Sequence, residues 1–283
     1  MTNPPSIAVA TVFLPRMELD YLADWIGYHR NLGVEHFYLY DNRHLSYDAK
    51  FNQRPAEKIW QKKPEADYHL DLSDDDIDHQ VRQILAEAGP NVFHTAWPGG
   101  RQGQGGFYAA QIKAVNSLLK QLQEAQLVEW LAFIDVDELL VPSEDPLPSI
   151  LNGLENNVAA LELSQKLFES RWQNGRGVPF AQLSRSFGVL DFNQKLIARV
   201  SHCERWVNPH SLQAKQGRIL KIPANHLRFH HFRGNEHFGK PAPPGWGVQQ
   251  YVKLDAATEI DSSHCRHLPS SGDGDVPVIH DSM

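Results

Sequence analysis

The sequence predicts an α/β fold in which a mixed, mostly parallel sheet is flanked by helices. The first observation is a β-α-β pattern: an apolar run at residues 7–14, a helical stripe at 18–32 and a second apolar run at 34–40. Units of this kind build parallel sheets. The second observation is the run at residues 130–140, in which five apolar residues lead into three carboxylates. A continuous apolar run is typical of a strand buried on both faces, so we expect it at the centre of the sheet.

Composition and charge are those of an ordinary folded protein. The 283 residues suffice for one large α/β domain or two smaller ones. The 27 basic and 34 acidic side chains give a net charge of −7, which disfavours a general nucleic-acid binder. An anionic ligand stays open, because a metal or a local cationic cluster can supply positive charge. Cys203 and Cys265 are the two cysteines, so neither a disulfide framework nor a cysteine-based zinc site is supported.

The first residues indicate neither a signal peptide nor a membrane anchor. Residues 1–6 lack the basic region of a signal peptide, and the apolar run at 7–14 is less than half as long as a membrane span. We therefore expect no transmembrane segment and a cytoplasmic location, with peripheral association at the inner face of the membrane left open.

Periodicity and capping signals predict the elements that follow. Apolar residues at three- and four-residue steps make residues 18–32 an amphipathic helix, and Gly33 is placed to close it. Ser73 followed by three aspartates predicts a helix N-terminus, and these acids are capping rather than catalytic residues. A third strand is expected at 91–97 and a further helix at 107–124.

The glycines after the third predicted strand suggest a loop that carries Arg101. Four of these glycines would let backbone amides approach a phosphate, but no Gly-Lys-Ser/Thr follows, so the spacing is not that of a P-loop. A flexible surface loop is the alternative. No Gly-x-Gly-x-x-Gly follows the first strand either, which counts against a dinucleotide-binding site.

The sequence pattern changes near residue 145, where short strands and loops replace long helices. We expect one domain over residues 1–238, with a nucleotide-binding half at about 1–145 and an acceptor half at about 146–238. Residues 239–283 are rich in Pro, Gly, Ser and Asp and are expected to form a lid and a mobile C-terminal tail.

Asp135 and Asp137 stand at the end of the central apolar run. Open α/β sheets place their ligands at the carboxyl ends of strands. Two hard oxygen donors there suit Mg²⁺ or Mn²⁺ carrying a substrate diphosphate, provided that a bend brings both to one ion. The alternative is a pair of solvated acids that end a core strand.

Four histidines between residues 226 and 237 form a second candidate cluster. If residues 226–232 are a strand, His226 and His230 share one face and His231 lies on the other. One of these side chains could complete a metal site begun by the two aspartates. The alternative is a set of histidines packed among aromatic residues.

Three blocks of the chain match a known sequence pattern. The first covers residues 18–42 and ends in Tyr40-Asp41-Asn42; the second is Gln111, Ala114 and Asn116 followed by Asp-Val-Asp-Glu; the third is Lys195, His210, His231 and Phe232. Together they span most of residues 8–232 and resemble glycosyltransferases of the GT-A type, in particular family 92 and its bacterial, family 2-like relatives. Three departures concern the sugar contacts: Arg16-Met17 where the family has Lys-Asn, Arg43-His44-Leu45 where it has a Ser/Asp-rich turn, and Phe232 where it has Tyr.

The resemblance implies a metal-dependent, inverting transfer of a hexose, with galactose as the suggested sugar, from a UDP-sugar to a glycan or another hydroxyl acceptor. It also implies the Rossmann-like GT-A fold and Mn²⁺ or Mg²⁺ held by Asp135, Asp137 and His231. The family's nucleotide and sugar contacts fall on five positions: Glu18, Asp41, which would accept from uracil N–H, Arg101, Gln111 and Lys195.

A general base must take the proton of the acceptor hydroxyl. The candidates are Glu169, whose aromatic neighbours could stack on a sugar ring, and Asp191. Two other functions stay open: a metal-dependent nucleotidyltransferase or phosphohydrolase, and a catalytically silent sugar-binding module.

Overall fold

The computed structural model describes residues 5–43, 72–97, 106–168, 172–173, 176–177, 179–232 and 259–269. Its α-helices are α1 (Pro15–Asn31), α2 (Asp74–Ala88), α3 (Gly106–Ala125) and α4 (Leu147–Asn152). Its strands are β1 (Ile7–Phe13), β2 (His36–Asp41), β3 (Val92–Ala96), β4 (Trp130–Phe133), β5 (Glu138–Pro142), β6 (Val158–Phe168), β7 (Trp172–Gln173), β8 (Arg176–Gly177), β9 (Arg185–Arg199), β10 (Cys203–Asn208), β11 (Ser211–Ala214), β12 (Arg218–Lys221), β13 (Leu227–His231) and β14 (Glu259–Ile260).

One ten-stranded sheet runs through the described residues in the order β3-β2-β1-β4-β9-β6-β13-β5, with β12 beside β6 and β14 beside β9. The pairs β3–β2, β2–β1 and β1–β4 are all parallel, so the N-terminal part is the parallel sheet that the β-α-β pattern predicts. β9 runs antiparallel to both β4 and β6 and joins the two halves of the chain. The predicted fold class, a mixed and mostly parallel α/β sheet flanked by helices, is confirmed.

Helices cover both faces of the parallel strands. All seven residues of β1 are buried, as expected for a strand with a layer on either side. On one face α1 and α2 pack over a core that includes Trp25, Phe37 and Trp130. On the other face α3 packs on β1 and on the β10–β11 hairpin.

The ends of the N-terminal helices follow the sequence signals. α1 begins with Pro15, whose missing N–H costs nothing at that position, and Glu18 Oε2 accepts the N–H of Leu14 at 2.6 Å. Gly33 follows α1 with a φ of 93°, the left-handed conformation that glycine adopts easily. Ser73 and Asp76 form a reciprocal capping box at the start of α2, so the predicted capping role of the acid run is confirmed for Asp76.

The run at residues 130–140 is two strands rather than one. β4 ends at Phe133 and β5 begins at Glu138, with a tight turn in which the Glu138 N–H donates to the Asp135 carbonyl at 3.1 Å. Apolar periodicity cannot reveal this break, because residues on both sides of the turn are buried. This turn contains Asp135 and Asp137, the two acids at the end of the predicted central strand.

The predicted division of residues 1–238 into two halves near residue 145 stays a prediction. Of the predicted lid and tail it describes residues 259–269, where β14 pairs with β9 and a 3₁₀ turn (Ser263–His267) follows. In the described part of the chain, none of the helices combines the length and the apolar character needed to cross a bilayer.

His29 makes the core sensitive to acid. This fully buried ring donates from Nδ1 to the Trp25 carbonyl at 2.9 Å and accepts the Leu140 N–H at Nε2 at 3.3 Å, which fixes the neutral tautomer. Burial lowers the pKa of His29 to about 3. The unfolded state therefore binds a proton as the pH falls below about 6.5, while the folded state does not, so stability is lost in that direction.

We expect this single group to remove about 2 kcal/mol of the free energy of unfolding between about pH 7 and about pH 5. Denaturant unfolding of the wild type and of His29→Gln at both pH values measures the effect, since all other titrating groups are common to both. Equal pH slopes in the two proteins would contradict it.

Candidate functional site

The candidate site lies where β4 ends and β5 begins, at the carboxyl edge of the parallel strands. The turn between these strands carries Asp135 and Asp137, and Glu138 opens β5. β13 runs antiparallel to β5 with His231 directly opposite Glu138. This register brings His231, which lies far along the chain from the acidic turn, next to that turn.

Asp137, Glu138 and His231 form a potential metal site. One ligand atom from each lies within 4.8 Å of the other two. His231 Nε2 is 3.5 Å from Asp137 Oδ2, and His231 Nδ1 is 3.7 Å from Glu138 Oε1. Gln165 Oε1 lies 3.2 Å from Nδ1 and accepts a hydrogen bond from it in the tautomer that leaves the Nε2 lone pair facing Asp137.

Asp135 lies beside this group but is held by other partners. Its Oδ1 accepts from Gln111 Nε2 and its Oδ2 from Lys195 Nζ, both at 2.9 Å. Lys195 Nζ also lies 2.8 Å from Glu138 Oε2, so one ammonium bridges the two carboxylates. Glu138 Oε2 accepts the Asp135 N–H at 2.8 Å as well, which ties the turn to β5.

The charges in this network balance through burial and pairing. Burial raises the pKa of Glu138 to about 7, against the attraction of Lys195. Burial alone would lower the pKa of Lys195, but Asp135 and Glu138 raise it above its ordinary value, so its amine stays charged. Burial, with help from Lys195, lowers the pKa of His210 to about 4, and this neutral ring donates from Nδ1 to the Gln194 carbonyl at 3.0 Å.

Asp41 ends β2 at the same edge of the sheet, where the nucleobase was predicted to bind. Its side chain is 0% exposed and is paired with the Arg43 guanidinium, with the Arg43 N–H at 3.0 Å and with His94 Nε2 at 3.2 Å. Burial alone would raise the pKa of Asp41, but His94 and Arg43 hold it below its usual value. Arg43 also contacts Asp78 on α2 at 2.5 Å. The Asp41 carboxylate is therefore already paired within the described structure.

Two other side chains at this edge have unused polar atoms among the described residues. Gln111 lies on α3, is 1% exposed, and its Oε1 has no hydrogen-bond partner there, although its amide nitrogen binds Asp135. Asn42 follows β2, is 1% exposed, and neither atom of its side-chain amide is paired within the described ranges. Glu18, in contrast, caps the first turn of α1 through its contact with the Leu14 N–H.

The remaining predicted residues are not brought into the site by the described structure. Arg101 and Glu169 lie outside the described residues, and Asp191 lies on β9 with its side chain not described. Sequence reasoning missed Glu138 as a potential ligand, together with the contacts of Gln165 and Arg43. The available signal was the third acid of Asp-Val-Asp-Glu; nothing in the sequence indicated the other two.

Comparisons with known proteins give one relative in sequence. No family model matches the chain. It is 26% identical over 167 residues to a glycosyltransferase family 92 protein of Ricinus communis, an alignment that covers 57% of this chain and 22% of that relative. The chain thus spans less than a quarter of the length of the relative that it matches.

Three solved structures share limited similarity with the chain. The bifunctional glycosyltransferase WbbM in its apo form has a TM-score of 0.30 at 13% identity, with 58% of this chain and 24% of that chain covered. A glycosyltransferase involved in glycosylation of the major capsid of PBCV-1 has a TM-score of 0.25 at 8% identity, with 69% and 60% covered. An apo UDP-glucose pyrophosphorylase has a TM-score of 0.28 at 12% identity, with 81% and 92% covered.

The sequence relationship agrees with the resemblance seen in the motif blocks at residues 18–42, 111–116 and 130–140. The predicted kinship is therefore confirmed: the chain is a homologue of a glycosyltransferase family 92 protein.

Proposed function

We propose that the protein is a metal-dependent, inverting glycosyltransferase that moves a hexose from a UDP-sugar to a hydroxyl group of a glycan or similar acceptor. The observation that carries this proposal is the cluster of Asp137, Glu138 and His231 at the carboxyl edge of the parallel strands. Open α/β sheets bind ligands at this edge. Galactose, suggested by the family resemblance, is the first donor sugar to test.

The residues of this cluster fit a divalent cation. Two carboxylates and a neutral imidazole are a donor set suited to Mn²⁺, and Mg²⁺ is accommodated by the carboxylates. The ligand set that we propose is Asp137, Glu138 and His231, because one ligand atom of each lies within 4.8 Å of the other two, whereas both carboxylate oxygens of Asp135 accept hydrogen bonds from Gln111 and Lys195. When bound, the cation supplies positive charge to the diphosphate that leaves.

The protein's own side chains prepare the site before substrate arrives. Lys195 holds Asp135 and Glu138 in place, because its ammonium contacts both carboxylates and is itself 1% exposed. Gln165 orients His231 through Nδ1. Such supports fix the ligands in one geometry, so little reorganisation is needed on binding. Oε1 of Gln111, which has no hydrogen-bond partner among the described residues, would accept a hydrogen bond from a donor-sugar or ribose hydroxyl.

In the proposed reaction the acceptor oxygen forms a bond to the anomeric carbon, and the bond from that carbon to the UDP oxygen breaks. The acceptor proton passes to a carboxylate, and the electron pair of the broken bond leaves with UDP. Glu169 and Asp191 are the proposed bases, and one carboxylate suffices because inversion needs no covalent intermediate. Glu169 is preferred for its position between aromatic residues.

Product analysis tests this function directly. The protein is incubated with UDP-galactose and a panel of saccharides in Mn²⁺ and in EDTA, and with UTP and hexose 1-phosphate in parallel. Metal-dependent release of UDP with a glycosylated acceptor supports the proposal. Formation of UDP-hexose and pyrophosphate would make the protein a nucleotidyltransferase instead. Binding of sugar without any turnover would make it a silent sugar-binding module.

The role of Asp41 in base recognition is a separate prediction. We expect Asp41→Ala to weaken UDP binding several-fold while leaving Mn²⁺ affinity nearly unchanged, because the carboxylate would exchange Arg43 for the uracil N–H. Calorimetry with UDP at saturating Mn²⁺ measures the effect, and Asp78→Ala is the matched control because it removes the other acidic partner of Arg43. Equal UDP affinity in wild type and Asp41→Ala would mean that the base is recognised elsewhere.

A further inference from the structure

A second concave site lies away from the acidic cluster, between β6, β9, β13 and the segment at residues 260–266. This cleft has a volume of about 950 Å³ and is lined by Lys166, Val189, Asn225, Arg228, Asp261 and Arg266, among others. Its size is that of cavities that bind small organic ligands. We refer to this site as the basic cleft.

The basic cleft and the acidic cluster lie on opposite faces of β13. Side chains alternate along a strand, so Arg228 and His230 point to one face, and Phe229 and His231 to the other. Arg228 lines the basic cleft, whereas His231 belongs to the acidic cluster. A ligand in the basic cleft is therefore separated from the proposed metal site by the sheet itself.

The lining of the basic cleft carries excess positive charge in a protein whose net charge is −7. Lys166, Arg228 and Arg266 are cationic, and Asp261 is the one acid among the lining residues. Asp261 Oδ2 contacts Lys166 Nζ at 2.6 Å and Arg228 Nη2 at 3.1 Å, and its Oδ1 accepts the Ser263 N–H at 2.8 Å. The carboxylate is thus fully engaged at the base of the cleft, where its side chain is 10% exposed, and two cations share its charge.

Donors and apolar groups stand nearer the opening. Arg266 is exposed, and the structure uses one of its nitrogens, Nη1, to bind the Ser143 carbonyl at 3.3 Å. Asn225 and Ser262 are exposed side chains with hydrogen-bonding groups on the same lining. Val189 and Ile260 are the exposed apolar side chains of this lining, at 48% and 69% exposure.

We propose that the basic cleft binds a small organic anion: a phosphate or carboxylate group carried on a body with apolar C–H faces, such as a sugar ring. The oxyanion would contact Arg266 and Asn225, with Lys166 and Arg228 supplying charge from below. The C–H faces of the ligand would pack on Val189 and Ile260. This site is independent of the proposed transfer reaction and does not require a metal.

Calorimetry of the full chain in EDTA at low salt tests the proposal with three probes: glucose 6-phosphate, glucuronate and neutral glucose. We expect one or both anions to bind and glucose not to bind. Arg266→Glu should weaken the anion at least about tenfold, because a charge-assisted contact is lost and a repulsive charge is added. Asn225→Ala should weaken it to a smaller extent, and both residues are exposed, so the fold is preserved.

The matched control is Lys120→Glu, which makes the same charge change on α3 at a side chain that is 80% exposed and lies outside the cleft. It should bind the anion as the wild type does. Asp137→Ala should also bind the anion normally although it loses sugar transfer, so failure of the proposed transfer function and failure of the cleft proposal can be told apart. Unchanged affinity in Arg266→Glu, an equal loss in Lys120→Glu, or glucose binding as tight as that of the anions would each overturn the proposal. The tighter of the two anions identifies the charged group that the cleft prefers.

Discussion

Replacing Asp137 with alanine is expected to abolish metal-dependent binding of UDP and with it the transfer of sugar. Asp137 supplies one of the two carboxylates in the cluster and is the acid closest to His231 Nε2, at 3.5 Å. Mutation of a residue that only orients a metal ligand typically lowers metal affinity or activity by about 10–100-fold. Loss of a ligand itself should therefore lower them at least as much. Calorimetry with UDP and Mn²⁺, repeated in EDTA, measures the effect.

The matched control for this experiment is Asp20→Ala, which removes an exposed carboxylate from α1. It should bind UDP and Mn²⁺ as the wild type does. His231→Ala should fall between the two proteins, because a neutral ligand contributes less charge than a carboxylate. If UDP binds Asp137→Ala as tightly as the wild type, or binds the wild type equally well without metal, the cluster does not hold the cation.

Replacing Lys195 with methionine is expected to destabilise the fold by about 3–5 kcal/mol, the cost of breaking a buried ion pair from one side. The ammonium is 1% exposed and is the shared partner of Asp135 at 2.9 Å and Glu138 at 2.8 Å. Methionine fills similar volume, so the loss comes from two carboxylates that now face each other. Denaturant unfolding at neutral pH measures it.

The pH dependence of this loss separates charge from packing. Burial raises the pKa of Glu138 to about 7 in the wild type although Lys195 lowers it, so removal of this cation raises the pKa further. At about pH 6 Glu138 binds a proton in the folded variant, so the destabilisation should be smaller there than at about pH 8. Lys195→Met combined with Glu138→Gln should recover part of the loss at the higher pH. A loss independent of pH and of the second change would assign it to packing alone.

The N-terminal part of the fold was accessible to sequence reasoning because local signals determine it. Pro15, Gly33 and the Ser73 capping box each act within a few residues of their own position, and the structure places helix ends at or beside all three. The alternation of buried runs and amphipathic stripes then leads to a parallel sheet. The order of the later strands depends on long-range pairing, which no local pattern carries.

The residues of the candidate site could be predicted from the sequence, but the contacts among their side chains could not. The Asp-Val-Asp-Glu motif and His231 were identified from residue type and resemblance, and the structure brings Asp137 and His231 together. The sequence did not show how the acids would pair, because Lys195 contacts both Asp135 and Glu138 and lies far from them along the chain. The sequence predicted that Asp135 would be a metal ligand, whereas the structure engages it with Lys195 and Gln111 and places Glu138 beside Asp137.

The same holds for Asp41, the residue proposed to bind the nucleobase: its position was predictable, but its partners were not. Asp41 was expected at the end of the second strand, and it is there. Its pairing with Arg43 and with His94 could not be foreseen, since Arg43 occupies a position where the family pattern has a Ser/Asp-rich turn and His94 comes from the neighbouring strand. A side chain two residues away thus competes with the predicted ligand for one carboxylate.

The antiparallel register that sets His231 opposite Glu138 also has a bearing on biosynthesis. As the chain leaves the ribosome, the acidic turn emerges long before the strand that supplies the imidazole, and that strand must slot between β5 and β6 to reach it. Until then the turn carries its carboxylates without the imidazole. The three side chains of the proposed metal cluster therefore come together only when β13 has joined the sheet.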